Sequence, residues 1–243
     1  MNFSLGALIS PVVSVAYTAF SRLKASREDL KKSYLHLLEL VAMIVIPACI
    51  GIAIIADPMV QLIYPGEEWS DLSRIIMVLA IFPGLSFIFI LNSELYRAVG
   101  KPELMPKILL FGLIYSIPAY ILAARMGLFE FALARFSVGF LFFPVHAYFA
   151  YKELQLEKSY LWKVSRAPLA SSFAMGALCL LSIDMFEPFT GMTGAVKLGV
   201  IIVGAVFVYS GAMFLIKRDR MLKMAALVKQ SLLPAKMRNT YEA

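Results

Sequence analysis

The chain has 243 residues, of which 60% are hydrophobic and 16% charged, and its mean hydropathy is +0.79. Soluble domains are only about 45–50% apolar and about a quarter charged, so this composition excludes an ordinary soluble fold. The net charge of +7 would suggest a nucleic-acid partner in a soluble protein, but here the placement of the charges between apolar runs explains it, and we expect no nucleic-acid partner.

Long apolar runs separate short polar loops along the chain. The runs are about 20 residues long, the length with which a helix crosses a hydrocarbon layer of about 30 Å. Transmembrane β-strands would instead give alternating segments of about ten residues. We therefore predict an all-α membrane protein, with a transmembrane region over residues 1–216 and a basic cytoplasmic tail at 217–243. The roughly seven predicted spans are 3–21, 36–56, 75–96, 106–125, 128–150, 166–186 and 195–216.

The first and sixth predicted spans are the least hydrophobic, and each has a competing interpretation. The first could be a signal peptide, but its basic residues follow the apolar stretch instead of preceding it. The sixth could be a shallow helix because Ser171 and Ser172 dilute it, yet residues 174–183 restore its apolar character.

Lysine and arginine fall almost entirely into every second loop. All but four of the 23 basic residues follow the first, third, fifth and seventh predicted spans, and the exceptions are Arg74, Arg125, Arg135 and Lys197. Short cytoplasmic loops carry this excess of positive charge in membrane proteins. We therefore predict a cytoplasmic C-terminus and an outer N-terminus. An outer start without a leader also leads us to expect at least one further helix before Met1.

Catalytic and metal-binding patterns are absent from the sequence. His36 and His146 are more than a hundred residues apart and have no Cys or carboxylate at ligand spacing. The sequence also contains no phosphate-binding glycine loop and no nucleophile-elbow motif. We expect no enzymatic activity, no metal and no cofactor.

Charged side chains within or near the spans are the main candidates for function. A charge at the bilayer centre costs about 2.5–3.5 kcal/mol on insertion scales, so it usually faces protein or a water-filled cavity. Arg135 lies about seven residues into its span, and it either lines a polar cavity that accepts an anionic group or extends to the interface. Arg97 is the second candidate. Glu39 and Glu94 are expected to reach the nearby cytoplasmic interface.

Two further patterns concern how the spans pack and bend. Small residues in the last span, Gly199, Gly204 and Gly211, are interpreted as a close-packing face between helices. Proline lies within five spans, which reflects either packing geometry alone or a lobe that bends around a cavity. These prolines are Pro11, Pro47, Pro83, Pro118 and Pro144.

Three stretches between residues 8 and 105 carry a family pattern. The first comprises residues 11–23 (PVVSVAYTAFSRL) and the loop from Arg27 to Tyr34. The second is an apolar helix with Pro47, followed by residues 56–69 (ADPMVQLIYPGEEW), and the third is residues 94–102 (ELYRAVGKP). In this order they resemble the polysaccharide transporters of the multidrug/oligosaccharidyl-lipid/polysaccharide exporter superfamily, and among these the lipopolysaccharide or O-antigen type.

The resemblance implies two lobes of six helices related by a pseudo-two-fold, often followed by two extra helices. Seven spans that start outside would then resemble most of the second lobe plus those two helices, as the C-terminal part of a longer flippase. The family implies that undecaprenyl-diphosphate-linked sugars cross the inner membrane, within membrane lipid, in surface-polysaccharide biosynthesis. An N-terminal lobe or a partner chain would be needed for transport. Arg135 and Arg97 are the residues we predict to bind the substrate.

Two other functions remain open. A cation-coupled small-molecule exporter of the same superfamily would normally use a membrane-embedded carboxylate. A non-transporting remnant or assembly subunit would instead pack with a partner chain. A membrane enzyme is least favoured, because no loop is large enough to hold a sugar nucleotide.

Overall fold

The computed structural model describes residues 16–23, 25–186 and 191–232, and over these ranges its regular elements are helices, without a strand. Residues 16–23 are helical, and a short 3₁₀ turn at Glu67–Trp69 precedes the second long helix. The predicted all-α fold is confirmed. The long helices are α1 (Arg27–Ile63), α2 (Ser70–Ala98), α3 (Leu104–Met126), α4 (Leu128–Leu154), α5 (Tyr160–Phe186) and α6 (Gly191–Leu232).

Six helices within the described ranges are long and apolar enough to cross a membrane. They correspond in order to the second through seventh predicted spans, so the chain is a multi-pass membrane protein. Most of the first predicted span, 3–21, lies outside the described residues. Helix α6 continues past the predicted start of the tail, but its backbone leaves helical geometry at Lys217 (φ −141°, ψ 56°). Residues 233–243 of the predicted tail lie outside the described residues.

Local signals in the sequence account for where several helices begin and end. The Ser26 hydroxyl accepts a hydrogen bond from the Asp29 amide, and Glu28 and Asp29 complement the positive end of the α1 dipole. Gly127 has φ 155°, a conformation that side chains disfavour, and it joins α3 to α4 in a one-residue turn. This turn makes α3 and α4 a hairpin.

Helix α1 forms the centre of the described bundle and packs against α2, α5 and α6. Its side chains Tyr34, Leu38 and Val41 are fully buried. Helix α2 packs in turn against α4, and α3 packs mainly against α4. Large apolar side chains on the outer faces of α3 and α6 are exposed, as expected for surfaces that face lipid. Examples are Phe111, Ile114, Leu122, Phe207 and Leu215.

The predicted close packing at the glycines of α6 does not occur among the described helices. A Cβ atom added at Gly199 or Gly211 would have no described neighbour within 4 Å, and one added at Gly204 would only touch Leu178 at 3.9 Å. The reason is that these glycines lie on parts of α6 that no described helix approaches closely. Close approach occurs instead at Gly112 and Gly139, where an added Cβ would overlap a phenylalanine ring.

The basic loops meet at one end of the bundle. The Arg27 guanidinium donates to the Glu153 carbonyl oxygen, with its Nη2 at 2.5 Å and its Nε at 3.2 Å. The Lys101 ammonium lies 2.7 Å from the Glu153 carboxylate. These contacts join the start of α1, the α2–α3 loop and the end of α4. We call this the basic end of the bundle.

Candidate functional site

Arg135 lines a cavity of about 300 Å³ between α2, α3 and α4. Its side chain is half-buried, and its guanidinium carbon lies 5.0 Å from the centre of the Phe82 ring, in a cation–π arrangement. Ion pairs in the described parts of the chain do not include Arg135. The structure therefore places this predicted site residue at a cavity. Besides Arg135, the lining includes Phe82, Phe89, Gly112, Ser116, Tyr120, Phe142 and His146.

Helix α3 supplies most of this lining, and α4 contributes Arg135, Phe142 and His146 from one face. Arg135, Gly139, Phe142 and His146 follow one another at intervals of four, three and four residues, so they share a helical face. At 1.5 Å per residue, Arg135 and His146 are about 16 Å apart along the helix. Sequence reasoning missed His146 as a neighbour of this cavity, and the helical spacing from Arg135 is the signal that could have identified it.

Two glycines let aromatic rings approach this face. Gly139 makes room for the Phe82 ring, which also forms the cation–π contact with the Arg135 guanidinium. Gly112 on α3 makes room for the Phe142 ring of α4. Since a methyl group at either position would overlap a ring, the two glycines shape the wall of the cavity.

A buried polar cluster surrounds Asn92, in the part of the α2–α4 contact that is nearer the basic end than Arg135. Asn92 is fully buried, accepts a hydrogen bond from the Tyr34 hydroxyl at 2.7 Å, and donates to the His146 carbonyl at 3.0 Å. Its amide nitrogen also lies 3.3 Å from the Tyr96 hydroxyl. The His146 ring stacks on Phe89 with their centres 4.2 Å apart. Asn92 thus links α1, α2 and α4, as expected for a polar side chain buried among transmembrane helices.

The second predicted site residue, Arg97, does not lie with Arg135. The Arg97 side chain is 61% exposed near the basic end of α2, and its guanidinium is 3.6 Å from the Glu94 carboxylate one turn earlier. Only the arginine of this pair is in solvent, since the Glu94 side chain is 12% exposed. The structure therefore brings Arg135, but not Arg97, to the cavity.

Glu39 does not extend into solvent, although its position in the sequence suggests that it would. Its carboxylate is buried and lies 2.7 Å from the Lys217 ammonium, which α6 brings to it from 178 residues away. Sequence reasoning missed this pair because the kink at Lys217 is not encoded by a proline or glycine there. Groups of three or more His, Cys, Asp or Glu residues that could hold a metal do not occur within the described ranges.

Comparison with known proteins gives partial but consistent matches. The family model of polysaccharide biosynthesis proteins matches residues 1–74. The chain is 24% identical to the lipopolysaccharide biosynthesis protein WzxC of Escherichia coli (strain K12) over 120 residues, which are 49% of this chain and 24% of that protein. It is 29% identical to an uncharacterized membrane protein in the cps region of Klebsiella pneumoniae over 111 residues, 45% of this chain and 23% of that protein. The matched part thus spans about a quarter of each relative's length.

These matches confirm the predicted resemblance to the polysaccharide transporters. No solved structure matches the chain.

Proposed function

We propose that this relative of the polysaccharide transporters forms part of a flippase, which moves a lipid-linked oligosaccharide across the inner membrane in surface-polysaccharide biosynthesis. The observation that carries the proposal is Arg135, a guanidinium held at a cavity among membrane-spanning helices and partnered by an aromatic ring. The substrate class we propose is an undecaprenyl-diphosphate-linked sugar. The proposal assigns no catalytic step to the chain.

The chemistry of arginine suits the diphosphate. A guanidinium remains charged under all cellular conditions and offers a planar fork that binds phosphate through two hydrogen bonds. The Phe82 ring lies 5.0 Å from the Arg135 guanidinium carbon, and this aromatic contact leaves Arg135 with N–H groups that can donate to a phosphate. The remaining lining is largely aromatic and aliphatic, which suits the adjoining sugar rings or the polyprenyl chain.

A second lobe belongs to the proposal, on the same polypeptide or on a partner chain. Cavities of about 300–1,000 Å³ hold ligands of drug size, so the 300 Å³ at Arg135 would hold the charged group but not an oligosaccharide. The second lobe would enclose the rest and supply further positive charge. In this arrangement the basic end and the C-terminal tail are cytoplasmic, as the distribution of Lys and Arg predicts.

The test is Arg135→Gln in the chromosomal gene, with surface polysaccharide and the lipid-linked precursor both quantified. A charge-assisted hydrogen bond contributes about 1.5–3 kcal/mol, so we expect export to fall on the order of tenfold to a hundredfold and the precursor to accumulate. Arg74→Gln is the matched control, because the Arg74 guanidinium also lies 5.0 Å from a phenylalanine ring, that of Phe129, but does not line the cavity. Normal export from Arg135→Gln cells with normal protein levels would refute the assignment.

Two further measurements separate the alternatives. Resistance to small toxic compounds in an export-deficient strain, with unchanged polysaccharide, would favour a cation-coupled exporter. That function gains no support from Glu39, since Lys217 already neutralises this buried carboxylate. Co-purification of a partner membrane protein without any transport would favour an assembly subunit.

A further inference from the structure

A second cavity, of about 490 Å³, opens at the basic end of the bundle. It lies between the first turns of α1, the first turns of α5 and the kink of α6, and it shares no lining residue with the cavity at Arg135. Its charged lining residues are Lys31, Lys32, Glu39, Glu157, Lys163 and Lys217.

Positive charge exceeds negative charge around this cavity. Each of its two carboxylates already has a lysine: Glu39 pairs with Lys217, and Glu157 pairs with Lys163. The Lys163 ammonium, by hydrogen bonding and by its charge, holds the pKa of Glu157 below its usual value. Four lysines face two carboxylates, so Lys31 and Lys32 are in excess. Lys31 acts on Glu157 through its charge alone, and Lys32 has only a 3.9 Å contact with the exposed Glu28 carboxylate.

We infer that this cavity binds the phosphate group of an anionic phospholipid from the cytoplasmic leaflet. Basic cavities between transmembrane helices on the cytoplasmic side are suited to anionic lipid headgroups. Leu35, Val164 and the ring of Tyr160 add apolar wall to the lysines, which matches a ligand with a charged head and apolar chains. Trp162 is 64% exposed next to Lys163, where an aromatic side chain anchors a helix at the headgroup level.

The inference is independent of the proposed transport function, because it concerns different residues and a lipid that remains in its leaflet. The bound phospholipid would connect α1, α5 and the kinked part of α6 through one phosphate. It would thereby hold α6 at the point where the Lys217 backbone leaves helical geometry.

Native mass spectrometry of the purified full chain tests the inference. The chain is titrated with phosphatidylglycerol or with phosphatidylcholine of the same acyl chains. We expect phosphatidylglycerol to bind more tightly, and Lys31→Gln/Lys32→Gln to weaken it on the order of tenfold, since each lysine near an anionic lipid contributes several-fold to binding. The matched control is Lys107→Gln/Lys152→Gln, which removes two exposed basic residues of the same end that do not line the cavity.

The lipid assignment fails if the two lipids bind equally, or if both double variants weaken binding to the same extent. Millimolar inorganic phosphate is added in a further titration. If it displaces phosphatidylglycerol, free phosphate is the ligand and the lipid assignment is overturned; if it does not, the acyl chains contribute as proposed. Should the double variant not accumulate, Lys31→Gln and Lys32→Gln are measured singly, each with an expected several-fold loss.

Discussion

The contact between α2 and α4 has two halves, and polar side chains lie in different environments in each. In the half nearer the basic end, Asn92 is fully buried and bonded to groups of α1, α2 and α4. In the other half, Arg135 is half-buried beside a cavity and is partnered by the Phe82 ring. One half is closed by hydrogen bonds, and the other keeps a charged group available.

The different environments of Asn92 and Arg135 indicate that the first residue serves stability and the second serves function. A buried polar group that keeps its partners fixes the helices that it joins, whereas losing a partner costs about 1–3 kcal/mol. A guanidinium has five N–H donors, and an aromatic ring offers them no strong acceptor. We therefore expect substitutions in the Asn92 half to destabilise the fold, and substitution of Arg135 to affect transport far more than stability.

The largest loss of stability is expected for Asn92→Leu. The variant leaves the Tyr34 hydroxyl without its acceptor and the His146 carbonyl without the amide donor. We expect the free energy of unfolding to fall by about 1–3 kcal/mol, measured by denaturation in mixed micelles.

Ser137→Ala on α4 is the control for Asn92→Leu. The Ser137 hydroxyl donates at 2.8 Å to the Ala134 carbonyl of its own helix, so it joins no two helices. The expected loss is below about 0.5 kcal/mol. Equal losses from the two variants would mean that the half around Asn92 is not held by bonds between helices.

A smaller loss is expected for Gly139→Ala. The new methyl group would overlap the Phe82 ring, so the ring must move away from α4 and from Arg135. Overpacking costs about 1–3 kcal/mol, and the better helix propensity of alanine returns about 1 kcal/mol of it, which leaves a net loss of up to about 2 kcal/mol. Denaturation in mixed micelles measures this loss as well. Export should also decline, because Arg135 loses its contact with the Phe82 ring.

Gly211→Ala is the matched control, since nothing described lies within 4 Å of a Cβ atom at that position. It should be neutral or slightly stabilising because alanine is the better helix former. If Gly139→Ala were as stable as this control, the Phe82 ring would be able to move aside without cost. The ring would then not be a fixed part of the cavity wall.

The helices were predictable because the bilayer fixes their length and apolar character. Hydropathy alone located α1 to α6, and the depth of Arg135 within its span marked it as a candidate. The packing partners were not predictable in the same way. Gly199 and Gly139 look alike in the sequence, but only Gly139 meets an aromatic ring from another helix. A glycine reports that close approach is permitted, not that a neighbour is present.

The Asn92 cluster shows a second limit. Its partners Tyr34 and His146 are 58 and 54 residues away in the sequence, so their meeting depends on how three helices pack. The stripe of Arg135, Gly139, Phe142 and His146 could have been inferred from helical spacing. Which helix that stripe faces could not, because a single sequence does not give the rotation of α4 in the bundle.

The smallest effect on stability is expected for Arg135→Gln, the variant with the largest expected effect on transport. Two contributions oppose each other: the variant loses the cation–π contact with Phe82, which stabilises by about 0.5–1 kcal/mol, and it relieves part of the cost of holding a charge in the membrane region. We expect the free energy of unfolding to fall by less than about 1 kcal/mol. If Arg135→Gln instead destabilised the chain as much as Asn92→Leu, Arg135 would be a structural residue like Asn92. The loss of export would then result from misfolding, and both halves of the α2–α4 contact would serve stability.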